Sequence, residues 1–364
     1  MKTARYLLVP LILGTLAWSQ FGIPGQGGLP PAPPGGGYAA PPQGGALPQL
    51  PQPGLPMATG KRYPLPAWIR PGVGFVYQDP TGQITLLMLV TDTDGTNAYG
   101  LFLNLIQTQG GPMLMVKPQA LVQNGQGLFY LNPQAVADAL AAARAEPDPN
   151  LKVFGGNGSF AYEYQSPNGR VAFAARYDPK TGIITELNSL MASAGAPGQP
   201  QPHREGIQYH YRGYETFTWQ SPTDFPSAAR EAHTYQLISQ MPDYLYGGSM
   251  ATPIGNMEIR PLHVARPLAR YQIRANQGGI PITQPAFGLT ALGPHYLHPA
   301  LLGRGTVLQS RYTGLSLTFT QEGLVWTVGQ LPLSRTRIDP QTGLLLEETD
   351  QTPLGAQVIM RLVH

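Results

Sequence analysis

The amino-acid sequence predicts a mainly β fold: antiparallel sandwich or open-barrel subdomains built from hairpins, with one or two short helices and a disordered Pro/Gly-rich N-terminal arm. Three observations carry this. Asp-Pro turns closing on Thr-Gly recur at Asp79–Gly82, Asp178–Gly182 and Asp339–Gly343. In each, aspartate can accept turn N–H groups, proline presets φ near about −65°, and glycine takes the positive φ. Apolar or β-branched runs flank the turns, as hairpins require. Only the stretch Pro133 to Ala145 carries convincing helix chemistry.

Residues 1–19 read as a secretory signal. Lys2 and Arg5 precede an apolar stretch from Tyr6 to Ala17, and the small residues Ala17 and Ser19 flank Trp18, which sets cleavage after Ser19. Those twelve apolar residues fall short of the roughly 20 that span a bilayer. No transmembrane anchor is therefore expected after cleavage. Residues 20–65 follow as a linker: up to Pro66 the run holds 13 prolines and 11 glycines, with no charge before Lys61. Such a composition buries too little apolar surface to offset its ordering entropy, and predicts a disordered arm of polyproline II character.

The 364 residues include no cysteine, which removes disulfides, lipid-modified cysteine, thiolate nucleophiles and thiolate metal sites together. An exported body of this size must rely on its own core, and about 300 residues suffice for one. The formal charge is +3, two units of which leave with the leader, and charged residues are 12% of the chain. No lysine or arginine cluster is present to neutralise a phosphate backbone, so nucleic acid is not an expected partner.

The first β-rich subdomain is expected over residues 66–192, opening at Pro66-Ala67-Trp68-Ile69-Arg70-Pro71-Gly72. Strands are read at Val73 to Tyr77, Gln83 to Thr91 and Tyr99 to Ile106, with Asp94-Gly95 as a hairpin tip. A helix follows from Pro133 to Ala145, with Asn132 placed to cap it, Pro133 suited to its first position, and Pro147 to stop it. Val171 to Tyr177 and Ile183 to Leu187 close the subdomain. The Pro/Gly/Gln-rich stretch within 193–205 reads as a second linker. The second β-rich subdomain, 206–364, is read from Leu315 to Thr320 paired with Leu324 to Val328, and Arg335 to Ile338 paired with Leu344 to Leu346. In the first pair Leu315, Leu317 and Phe319 alternate with Ser316, Thr318 and Thr320, the pattern of a half-buried strand. A second helix is expected from Pro226 to about His233. Each half ends on an Asp-Pro-x-Thr-Gly hairpin, which invites a duplication reading although little else aligns.

Candidate chemistry is sparse. Asp92-Thr93-Asp94-Gly95-Thr96-Asn97 offers several oxygens, but glycine falls at position 4 and Leu103 at position 12 of what an EF-hand would need. A hairpin tip is the expected reading. His295 and His298 share an i, i+3 spacing, but Pro294 and Pro299 bracket them in a loop, so no metal site is assigned. Gly156-Asn157-Gly158-Ser159 misses the nucleophile-elbow pattern. Glu163, Glu186, Glu215 and Glu258 could serve glycoside hydrolysis only if two faced each other across a cleft. No catalytic residue and no cofactor is assigned. The aromatic segment from Tyr209 to Trp219 is the candidate binding surface: strict alternation puts Tyr209, Tyr211, Phe217 and Trp219 on one strand face. Rings there could stack on sugars or pack on peptides, or form an inward core face.

The Pro66-x-Trp68-x-x-Pro71-Gly72 opening, the Phe129-Tyr130-Leu131-Asn132-Pro133 helix entry and the Tyr177-Asp178-Pro179-Lys180-Thr181-Gly182-Ile183 hairpin resemble a set of uncharacterised exported bacterial β-rich proteins. The resemblance implies export and a hairpin fold, and brings no activity. The functional expectation is an exported, non-catalytic cell-envelope binding or structural protein, periplasmic, cell-surface or extracellular, with an envelope polysaccharide or protein as partner. The alternative is a secreted hydrolase acting on envelope polysaccharide or peptide through dispersed carboxylates. An outer-membrane barrel is disfavoured by irregular strand lengths and the alanine-rich helix.

Overall fold

The structure, a computed structural model, describes residues 61–145, 147, 149–166, 169–193, 207–243, 248–277, 280–352 and 355–363. The expected leader, the arm up to residue 60 and the linker over 194–205 lie outside the described residues. The chain is mainly β, as expected. Its first strands are β1 (Val73–Gln78), β2 (Ile84–Thr93), β3 (Ala98–Thr108), β4 (Gly111–Gln123) and β5 (Gln126–Gly127). The helix α1 (Pro133–Ala145) follows, then β6 (Leu151–Gly156), β7 (Ser159–Ser166), β8 (Gly169–Tyr177), β9 (Ile184–Ser193) and β10 (Ile207–Thr216). The later strands are β11 (His233–Asp243), β12 (Gly248–His263), β13 (Leu268–Gln277), β14 (Ile280–Leu289), β15 (Leu292–Gly293) and β16 (Tyr296–Leu297). They end with β17 (Gly305–Gln309), β18 (Leu315–Phe319), β19 (Leu324–Val328), β20 (Leu331–Ile338), β21 (Leu345–Gln351) and β22 (Gln357–Leu362).

Two ten-stranded antiparallel sheets result, ordered β5-β4-β3-β2-β1-β10-β9-β8-β7-β6 and β14-β13-β12-β11-β22-β21-β20-β19-β18-β17. The composition break over 193–205 therefore does not coincide with a sheet boundary. It falls between β9 and β10, and β10 pairs with β1 and β9 of the first sheet. A Pro/Gly-rich connection can join two neighbouring strands as readily as two domains, and strand pairing decides which. The expected second helix is likewise shorter than predicted: only a 3-10 turn at Ser227–Arg230 forms before β11 begins at His233.

Local chemistry accounts for the elements that were legible. Asn132 Oδ1 accepts from Gln134 N at 2.9 Å and Ala135 N at 3.2 Å, capping α1. The helix buries Ala135, Val136 and Ala139 inside the first sheet. The three Asp-Pro turns form as predicted: Asp178 accepts from Lys180 N at 2.9 Å, and Asp339 from Gln341 N at 2.8 Å. Asp79 accepts from Ile84 N at 2.8 Å.

The two halves repeat one construction. Tyr77 on β1 and Tyr235 on β11 are fully buried, and their hydroxyls donate to the carbonyls of Ile184 (2.7 Å) and Leu345 (3.0 Å). Leu131 N donates to Gly182 O and Leu297 N to Gly343 O; Ile184 N donates to Phe129 O and Leu345 N to His295 O. The segment Phe129-Tyr130-Leu131-Asn132-Pro133 thus occupies the place of His295-Tyr296-Leu297-His298-Pro299. His298 Nδ1 even accepts from Ala300 N at 3.1 Å as a cap, where Asn132 caps α1. Gly182 has φ 77°, and a Cβ there would lie 2.4 Å from the Tyr130 ring, so the turn needs glycine for both reasons. Strands β1–β4 and β6–β10 match β11–β14 and β18–β22 pair for pair, and β17 is an added edge.

Two cores hold the molecule. One fills the first sheet with Phe75, Tyr77, Met88, Phe102, Phe160 and Tyr209. The other combines the inner face of the second sheet with the outer face of the first, through Leu87, Leu89, Leu101, Leu103 and Leu105. Strands β2 and β3 are therefore apolar on both faces, which explains the unbroken run Ile84 to Val90. The outer face of β2–β4 lies over the inner face of the second sheet, with Leu114 and Val116 packed against that shared core.

Candidate functional site

The residues Tyr209, Tyr211, Phe217 and Trp219 do not share the one strand face expected of them. Val76 pairs with Gly213 and Tyr77 with Tyr211, leaving Arg212 as an extra residue in a β-bulge. The bulge reverses the alternation. Tyr209 is buried in the first core and Tyr211 packs against it, whereas Phe217 is buried in the shared core and Trp219 packs there. Trp219 Nε1 donates to Thr91 O at 3.0 Å and Ser221 Oγ at 3.1 Å, so its polar handle is internally satisfied. Two strand faces and two cores replace the single face.

The other sequence candidates also resolve to structure. Asp94 accepts from Thr96 N, Asn97 N, Asn97 Nδ2 and the Tyr99 hydroxyl. Desolvation raises its pKa, but these hydrogen bonds outweigh it and hold the carboxyl at about 2. Asp92 pairs with Arg266 at 2.9 Å, tying the two halves together. Glu215 is buried at the same junction and accepts from Ser310 Oγ at 2.9 Å and Arg311 N at 2.8 Å. Glu186 pairs with Arg176, and Glu258 with Arg260. Ser159 Oγ donates to Gly156 O inside its turn. No group of three or more metal-ligating side chains occurs among the described residues.

The one arrangement that sequence reading missed lies inside the second sheet. A cavity of about 140 Å³ is bounded by Met257, Ile259, Ile273, Leu324, Trp326 and Met360, with Leu114, Val116 and Pro118 of β4 as a wall contributed by the first sheet. Into this apolar space β21 projects Glu348 and Asp350, beside Ser334 and Thr336 on β20 and facing Gln284 on β14. Trp326, Ser334 and Asp350 are register neighbours across β19, β20 and β21, and Thr336, Glu348 and Met360 form the adjacent row. Asp350 is hydrogen bonded to Ser334.

Desolvation dominates the electrostatics. Desolvation, with the neighbouring Asp350 charge adding to it, pushes the Glu348 carboxyl well above the usual carboxylate range. Desolvation likewise raises Asp350, to about 6, against the opposing pull of its Ser334 hydrogen bond. Gln284, only 8% exposed, lines the same cavity.

The repeated construction supplies an internal control. By register, Glu348, Thr336, Ser334, Trp326 and Leu324 stand where the first sheet has Leu187, Ala175, Phe173, Tyr162 and Phe160. Those five first-sheet side chains are buried in a filled core. Asp350 corresponds to Ser189 and Met360 to Tyr209. The same scaffold is therefore packed with aromatic rings in one copy and hollow and acidic in the other. Burying carboxyls costs free energy that apolar side chains at those places do not.

A second difference sits nearby. Phe75 and Phe129 stack with centroids 4.1 Å apart in the first half, and His233 and His295 take those places 5.5 Å apart in the second. Burial lowers the His295 pKa to about 4, overcoming the hydrogen bond of Nε2 to Ala228 O at 2.9 Å, which acts in the opposite direction. A depressed histidine favours the folded state fully above its unfolded pKa of about 6.5 and loses that contribution as pH falls toward 4. His295→Phe should flatten this acid-side slope of stability, by up to about 3 kcal/mol between pH 7 and 4, measured by urea unfolding at both pH values. An unchanged slope would exclude His295 as its source.

No family model and no curated protein matches the chain. Among solved structures, one of a protein of unknown function from the DUF3598 family of Nostoc punctiforme is similar over 81% of this chain and 97% of that one, at 11% identity and a TM-score of 0.18.

Proposed function

We propose that this chain is an exported, non-catalytic binding protein whose ligand is a small molecule held in the cavity of the second sheet. The observation that carries this is the internal comparison: a fold position filled by Leu187, Phe173 and Tyr162 in one copy is opened and lined with Glu348, Ser334 and Trp326 in the other. Pockets that bind small molecules share this make-up, mostly apolar walls with a few convergent polar groups. The two carboxyls lie at i, i+2 on one strand, so they flank nothing, and the facing wall presents Gln284, Ile273 and Ile259. That arrangement supports binding over the glycoside-hydrolase alternative, which needs carboxyls on both sides of a bond.

Export is supported by the leader's basic start, apolar stretch and small residues. No helix among the described residues is long and apolar enough to cross a membrane. A ligand of this size would be a small solute met outside the cytoplasm rather than an envelope polymer.

The test is occupancy. A cavity of similar volume in another protein holds benzene, so 1-pentanol should bind the full chain, observed by ligand NMR and by protection against thermal unfolding. Ser334→Phe, which copies Phe173, should abolish that binding while the far- and near-ultraviolet circular dichroism stays native. Undiminished 1-pentanol binding by the folded variant would refute the cavity as the site. Fractionation of cells expressing the full chain checks export: retention of the protein with its leader intact in the cytoplasm would refute it.

A further inference from the structure

Resting on the cavity as the binding site, we infer that its ligand is a small organic ammonium ion. The ammonium N–H groups would be donated to the carboxylates of Glu348 and Asp350, with the carbonyl of Gln284 completing the set and the alkyl part lying against Trp326 and Ile259. Three observations converge on this. The cavity's only ionisable carboxyls are these two, side by side on β21, and no lysine, arginine or histidine lines it among the described residues. Gln284, on β14, is more than nine-tenths buried and lines the same cavity, where its carboxamide can meet a ligand. The remaining walls are apolar and include an indole, which suits the hydrocarbon of an amphipathic cation and can attract its charge.

Charge chooses the ligand class. An anion would meet two carboxyls and few side-chain donors, chiefly Gln284, Ser334 and Thr336, of which Ser334 is engaged by Asp350 and the Thr336 hydroxyl donates to Leu324 O at 3.5 Å. A hydrated metal ion would draw on several hard oxygen ligands, and no group of three or more His, Cys, Asp or Glu side chains that could hold one occurs among the described residues. Both carboxyl pKa values are raised, chiefly by desolvation, and a cation beside the pair would lower them.

The experiment compares n-pentylammonium with its isostere 1-pentanol, by isothermal titration calorimetry on the full chain at pH 8. Ammonium is expected to bind at least tenfold more tightly than the alcohol. The near-isosteric double variant E348Q/D350N should bring that ratio close to one, and Gln284→Leu should weaken the ammonium at least threefold. Alcohol binding equal to or tighter than ammonium binding, or a ratio untouched by E348Q/D350N, would overturn the ammonium assignment and leave the cavity reading standing. Calcium chloride that binds at the same carboxyls and excludes n-pentylammonium would also overturn it. Failure of both organic probes would sink the cavity reading itself.

Discussion

Asp350→Asn should stabilise the ligand-free protein at pH 8 by about 2 kcal/mol and leave its stability at pH 4 nearly unchanged. The folded-state pKa of about 6 lies above the unfolded value of 3.8, so the folded protein holds the proton more tightly. A raised carboxyl contributes its full stabilisation below the unfolded pKa and loses it as pH rises through the folded one. The window is therefore about pH 4 to 6, and the whole shift corresponds to about 3 kcal/mol. Because Asp350 keeps some contact with the cavity, the smaller figure is expected. Urea unfolding of both proteins at pH 4, 6 and 8 reads the effect directly. Equal stabilities at pH 8 would show that Asp350 ionises without penalty and is solvated. The slope runs opposite to that of His295 over nearly the same window, so the wild type shows their difference, and Asp350→Asn should unmask the histidine.

Leu101→Ala should cost about 3 kcal/mol and keep a single unfolding transition. Leu101 is fully buried on the outer face of β3, in the core shared by both sheets, and truncation of such a leucine leaves a cavity worth about 2 to 5 kcal/mol. Since the same apolar slab seals the second sheet, loss of packing there weakens both halves together. Far-ultraviolet circular dichroism and tryptophan fluorescence should therefore give coincident denaturation curves. Two separated transitions, with only one moved by the substitution, would show that the halves are independent subdomains after all.

Most of the hairpin architecture was legible because its signals are local. Asp178, Pro179 and Gly182 set a turn within five residues, and Asn132 with Pro133 starts α1 from its own first turn. The candidate site was not legible, and two bulges explain why. On β21, Ile338 pairs with Leu345 and Arg337 with Glu347, so Leu346 is an extra residue. Strict alternation from the buried Leu345 would send Glu347 and Thr349 inward, and the bulge sends Glu348 and Asp350 instead. On β10 the bulge at Arg212 divides the aromatic run in the same way. A single added residue inverts every face assignment downstream, and nothing in the composition of either segment announces it. The repeat was hidden for a related reason: Phe129 and His295, or Leu187 and Glu348, share a place in the fold but no chemistry.

By itself, then, the chain's sequence determined the class of fold, the turns, the capped helix and the absence of any cysteine chemistry, because propensity, capping and composition act over a few residues. Only the tertiary structure decided that β10 belongs to the first sheet, that one apolar slab serves both halves, and that Glu348, Asp350 and Gln284 line one cavity. Those outcomes depend on strand pairing between residues as distant as Val73 and Thr216 or Tyr235 and Leu362, and on burial, which raises the carboxyl pKa values only once the walls are assembled around them.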